Sequence, residues 1–95
     1  MPPVVRLGDV CTGHAPYPPR PNAEGSPDVF ANGIPVHRVG DFWPPHCDPL
    51  SCHPGSAASG SGSVFANGIP VCRIGDAVNC GSMMAQGSPD VFAGG

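Results

Sequence analysis

Val29-Phe30-Ala31-Asn32-Gly33-Ile34-Pro35-Val36-His37-Arg38-Val39-Gly40-Asp41 decides the fold, because nearly the same run returns thirty-five positions later at Val64 to Asp76. Asn-Gly between short apolar runs is the signature of a two-residue β-hairpin turn with positive φ at both positions. Pro35 and Pro70 fall in the returning strand, so each strand must present an edge or lie beside a bulge. A third copy is split between the ends of the chain. Pro3-Val4-Val5-Arg6-Leu7-Gly8-Asp9 opens the sequence, and Val91-Phe92-Ala93 closes it, with Gly94 standing where the other copies carry Asn32 and Asn67. The periodicity therefore predicts an all-β chain of three hairpins around a pseudo-threefold axis, the third formed by the N- and C-terminal strands. Residues 1–95 read as a single domain.

Composition bounds the rest. The chain has 95 residues, with 14 Gly and 14 Pro, which by composition alone would suggest disorder. The repeats argue the reverse. All four basic residues are arginines, and the net charge is −3, the wrong sign for a surface that holds nucleic acid. No apolar run approaches the roughly 18 residues of a membrane span, and no basic-then-apolar leader opens the chain.

Each copy ends in Arg-x-Gly-Asp: Arg6 to Gly8-Asp9, Arg38 to Gly40-Asp41, and Arg73 to Gly75-Asp76. Turn chemistry accounts for the Gly-Asp pairs, with Gly supplying positive φ and Asp capping the following loop. The Arg–Asp spacing also allows ion pairs, which at a surface stabilise by less than about 1 kcal/mol each.

Most of the cysteines and histidines lie in the three loops that follow these turns. The first loop holds Cys11 and His14, the second His46, Cys47, Cys52 and His53, and the third Cys80 alone; His37 and Cys72 occupy equivalent hairpin positions. His14 and His46 each follow their Asp by five residues, and Cys80 follows by four. A pseudo-threefold axis brings these three side chains to one end, and His53 supplies a fourth donor. Three imidazoles and a thiolate make a closed tetrahedral site suited to Zn²⁺, with iron as the alternative.

Competing readings fit less of the chain. Five cysteines suggest a disulfide framework, with Cys47 and Cys52 a plausible short loop, but the odd count and the lack of a leader weigh against it. A Cys-His nucleophile at Cys47/His46 or Cys52/His53 lacks an orienting third group. The chain is read as a non-enzyme with no small-molecule substrate. A free-standing Cys/His metal-binding or thiol redox module remains the alternative.

With Pro-x-x-Arg followed by Gly-Asp, the chain resembles the PAAR-repeat family. The match lies in Pro3, Arg6, Gly8 and Asp9, in Pro35, Arg38, Gly40 and Asp41, and in Pro70, Arg73, Gly75 and Asp76, although Val with His or Cys replaces the central alanines in two copies. The resemblance implies a small conical domain, its loops tied by metal at the apex, that caps the trimeric β-helical spike of a contractile phage tail or type VI secretion system. One tip chain per trimer is implied, with transient contact with the target envelope. The family's three-His, one-Cys metal set maps onto His14, His46, His53 and Cys80, with Cys47 or Cys52 as alternatives to His46. The implied location is the tip of the baseplate spike or of a type VI apparatus, after synthesis in the bacterial cytoplasm without a signal peptide. A chain that begins at its first motif and ends at its last favours a bare tip from a phage-like particle.

Overall fold

Asn32 and Gly33 have φ of 58° and 73°, and Asn67 and Gly68 have 57° and 74°. These are the turns that the Asn-Gly pairs predict, and each closes a short hairpin. The computed structural model describes residues 1–95 and is all-β. Strands β1 (Phe30–Ala31) and β2 (Ile34–Pro35) pair antiparallel, as do β5 (Phe65–Ala66) and β6 (Ile69–Pro70). Pro3 forms an antiparallel bridge with Phe92, so the termini complete the third hairpin. One hydrogen bond recurs in all three: the N–H groups of Val36, Val71 and Val4 donate to the carbonyls of Val29, Val64 and Val91 at 3.0, 3.1 and 2.9 Å.

The hairpins join through a closed ring of backbone bonds on the axis. Val5 N–H donates to Cys72 O, Cys72 N–H to His37 O, and His37 N–H to Val5 O, each at 2.9 Å. All three residues are fully buried. On one side of the ring lies a core of Val4, Val36 and Val71 with Ala93, Ala31 and Ala66, two residues from each copy. On the other side Trp43 is fully enclosed by Val5, Cys11, Ala57, Cys72, Val78 and Met84. Two small cores therefore stack along one axis, in a molecule measuring 38 × 24 × 20 Å.

The Arg-x-Gly-Asp turns are built alike. Gly8, Gly40 and Gly75 have φ of 88°, 89° and 93°, with open space where a Cβ would sit, so backbone conformation alone selects glycine there. Each Asp carboxylate accepts both its Arg backbone N–H and its Arg Nε, the latter at 3.0 Å in every copy. The paired side chains are only 6–17% exposed, so the weak value of a surface ion pair does not apply.

Each arginine also reaches the neighbouring copy. Arg6 Nη1 donates to Asn32 Oδ1 at 3.3 Å, Arg38 Nη1 to Asn67 Oδ1 at 3.0 Å, and Arg73 Nη1 to Gly94 O at 3.0 Å. Buried Ser26, Ser88 and Ser61 donate to the same three oxygens. The copies are thus laced in a circle.

The second loop departs from expectation. The loop that carries His46, Cys47, Cys52 and His53, expected without strands, contains the longest hairpin: β3 (Phe42–Cys47) against β4 (Cys52–Ser56). Prolines hide a strand signal, but each strand of a two-stranded ribbon pairs on one edge only, and the register shifts between Trp43 and His46, where Pro44 and Pro45 lie. Cys47 and Cys52 pair across the hairpin and are joined by a disulfide. This corrects two expectations: the chain does carry a disulfide, and neither sulfur is a thiolate available to replace His46 at a metal. Asp48 caps the connecting turn by accepting the N–H groups of Leu50 and Ser51 at 2.8 and 2.6 Å.

Candidate metal centre

All three loops contribute to one cluster. His14 sits in a tight bridge with Tyr17, made by two backbone hydrogen bonds of 2.9 and 2.6 Å. His46 and His53 face each other across β3 and β4, one rung from the disulfide. Cys80 lies in the third loop, between Val78 and Ser82, where Gly81 N–H donates to Val78 O and Val78 N–H to Ser82 O. One donor atom from each of His14, His46, His53 and Cys80 lies within 4.8 Å of all the others. The structure thus brings these four residues together and keeps Cys47 and Cys52 apart from them in their own bond.

The distances test whether an ion fits. His53 Nε2 lies 3.1 Å from His14 Nε2 and 2.8 Å from His46 Nε2, and Cys80 Sγ lies 3.8 Å from His46 Nε2. A ring nitrogen carries either one proton or one lone pair, so His53 Nε2 cannot form a hydrogen bond to both neighbours. One of the two contacts would be left without a directed hydrogen bond of its own. A cation shared by the nitrogens removes that conflict. A tetrahedral ion bonded at about 2.0–2.1 Å to nitrogen and 2.3 Å to sulfur needs donors about 3.3–3.6 Å apart, a span that the separations of 2.8, 3.1 and 3.8 Å bracket.

Surrounding groups hold the donors in that arrangement. His46 Nδ1 donates to Pro18 O at 2.8 Å, which leaves Nε2 as the lone-pair nitrogen turned toward the cluster. Tyr17 packs against all three imidazoles, with centroids 4.9, 5.1 and 4.1 Å from those of His14, His46 and His53, and its hydroxyl is 2.6 Å from Ser51 Oγ. Desolvation lowers the pKa of His53, and the neighbouring His46, His14 and Arg20 lower it further. Desolvation pushes the Cys80 thiol up, but the Ser82 N–H and the Arg20 guanidinium outweigh it and leave the pKa below that of an ordinary thiol. Both shifts favour the forms that bind metals.

Two neighbours of the cluster were not identified from the sequence. Tyr17 is the only tyrosine, in a proline-rich segment with no periodicity to place it. Arg20 is the one arginine outside the three Arg-x-Gly-Asp copies, a misfit that could have marked it for a separate task.

At the opposite end, Phe30, Phe65 and Phe92 are 54%, 54% and 47% exposed, with Val29, Val64 and Val91 beside them in sequence. No curated protein matches the chain. A family model described as PAAR motif matches residues 12–86, and again residues 53–95.

Proposed function

The chain belongs to the PAAR motif family, and from that premise we propose that it is the metal-braced tip of a contractile injection machine, a phage tail baseplate or a type VI secretion apparatus. Its hairpin end seats on the trimeric β-helical spike, and its loop end leads toward the target envelope. One observation carries the reading: three phenylalanines, one per copy and about equally exposed, present threefold apolar contacts from a single chain. A pseudo-threefold monomer can meet a true trimer with one similar contact per subunit. Exposed apolar groups of this kind mark an interaction surface rather than a catalytic one.

In this reading His14, His46, His53 and Cys80 hold Zn²⁺, and the ion ties together loops that otherwise depend on two small cores. Structural Zn²⁺ supplies on the order of 10–16 kcal/mol of apparent binding free energy in small domains. The protein is then a structural part with no substrate of its own, held at the spike tip until the machine fires.

Co-expression with a trimeric β-helical spike tests the proposal. The expected result is a stable complex of one chain per trimer with about one zinc ion. Recovery of the free chain alone, with the Cys47–Cys52 disulfide cycling reversibly, would replace this reading with that of a thiol redox module.

A further inference from the structure

Arg20 is 7% exposed, yet no carboxylate pairs with it. Its guanidinium lies 5.3 Å from the Trp43 ring centroid, and Nε donates to Pro44 O at 2.8 Å. The remaining contacts are to sulfur: Nη1 donates to Cys11 Sγ at 3.3 Å and Nη2 to Cys80 Sγ at 3.6 Å. A buried cation needs a counter-charge or full hydrogen bonding, and the acceptors built around this one are a carbonyl and two sulfurs. The rigid planar fork lets one side chain hold Pro44 of β3 and Cys80 of the third loop at once.

We propose that Arg20 is a positioning residue of the metal centre, which aims the Cys80 sulfur at the three imidazoles and withdraws charge from it through an N–H···S hydrogen bond. The proposal rests on the metal reading above. Cys11, 1% exposed and on the other arm of the guanidinium, completes the socket without joining the ligand set. Outer residues that orient metal ligands typically contribute 10–100-fold in affinity. A hydrogen bond to a thiolate also lowers the energy of the sulfur lone pair, so a charge-transfer transition from sulfur to the metal moves to higher energy.

Cobalt(II) reports on both effects in the full chain. Wild type, Arg20→Met, Arg20→Lys and Cys11→Ala are loaded with Co²⁺, the sulfur-to-cobalt absorption is recorded, and affinity is measured against a competing chelator. Arg20→Met keeps an unbranched apolar stem against Trp43 and loses every N–H. It is expected to bind Co²⁺ about 10–100-fold more weakly, with the band shifted to longer wavelength. Arg20→Lys restores a donor and lies between, while Cys11→Ala leaves the band in place. An unshifted band in cobalt-loaded Arg20→Met overturns the proposal, as does an equal shift in Cys11→Ala. Should Arg20→Met not fold, Arg20→Lys decides: a band and an affinity both identical to wild type overturn it. Failure of the wild-type chain to take up about one Co²⁺ overturns the metal reading itself, a result distinct from all of these.

Discussion

His37 is the residue whose chemistry fits its place least. It occupies the axis with Val5 and Cys72, is fully buried, and donates from Nδ1 to Glu24 O at 2.6 Å. That bond leaves Nε2 as an unpartnered lone pair, with the ring edge-on to Trp43 at 5.3 Å. Desolvation lowers its pKa; the Glu24 carbonyl and the charges of Asp41 and Glu24 oppose this, and Arg38 adds to it. The unfolded chain therefore takes up the proton first as pH falls. Stability is intact above the unfolded value of about 6.5 and declines below it, until the folded imidazole also protonates. His37→Val, which copies the Val5 of the equivalent position, should flatten the loss of urea stability between about pH 7.5 and 5.5 relative to wild type. Equal slopes in the two proteins would contradict this. The Arg–Asp turns carry a second residue-scale expectation. Asp41 accepts two charged hydrogen bonds from Arg38 in a largely buried setting, so Asp41→Ala should cost about 1.5–3 kcal/mol, measured by chemical denaturation. A cost near the few tenths typical of exposed pairs would show that the burial has no energetic consequence.

The β3–β4 hairpin shows what could and could not be read from the sequence. The short hairpins were legible because Asn32-Gly33 and Asn67-Gly68 specify their turns and the repeat supplies an internal control. His14, His46 and Cys80 were legible as a group because each follows an equivalent Asp, with His53 added as a fourth donor from the second loop. The long hairpin was not, since Pro44, Pro45 and Pro54 argue against strands and only the pairing of His46 with His53 and Cys47 with Cys52 overrides them. Arg20 and Tyr17 were hidden for a related reason: their roles depend on where a non-repeating loop crosses the cluster. The disulfide follows from the same register. It closes a loop of about six residues, for which chain entropy alone predicts about 2 kcal/mol of stabilisation. Because it lies one rung from His46 and His53, it should also hold that donor pair in place. Binding linkage is reciprocal, so metal should protect the disulfide by the same factor by which the disulfide strengthens metal binding. Zinc-loaded protein is expected to need a more reducing thiol–disulfide buffer than chelated protein to open the disulfide at equilibrium, followed by thiol labelling. The Cys47→Ser/Cys52→Ser double variant should bind zinc more weakly. Identical reduction midpoints would uncouple the two features.

The two ends of the molecule are stabilised by different means, which separates their failures. Around Val4, Val36 and Val71 the copies are held by apolar contacts, the backbone ring and the arginine bridges between copies. Around the histidines, non-repeating loops pack on the Trp43 core, and a metal shared by the four donors would tie them further. Chelation should therefore lower the melting temperature and raise amide exchange first in residues 11–20, 46–53 and 77–83, while the amides of Val5, His37 and Cys72 stay protected. Uniform loss of protection would mean that one cooperative unit spans both ends. The hairpin end carries the last expectation. Phe30, Phe65 and Phe92 are each about half covered already, so docking on the proposed spike would bury the remaining half of each ring, at about 1 kcal/mol apiece, or about fivefold in affinity. Because the positions are equivalent, Phe30→Ser, Phe65→Ser and Phe92→Ser should weaken spike binding to similar degrees and leave the melting temperature nearly unchanged. The triple variant should then lose on the order of a hundredfold, since the sites are separate and their effects add. A single dominant phenylalanine, with the other two silent, would instead indicate an off-axis partner that contacts one face of the hairpin end, and the pseudo-threefold match to a trimer would no longer explain why the chain repeats itself.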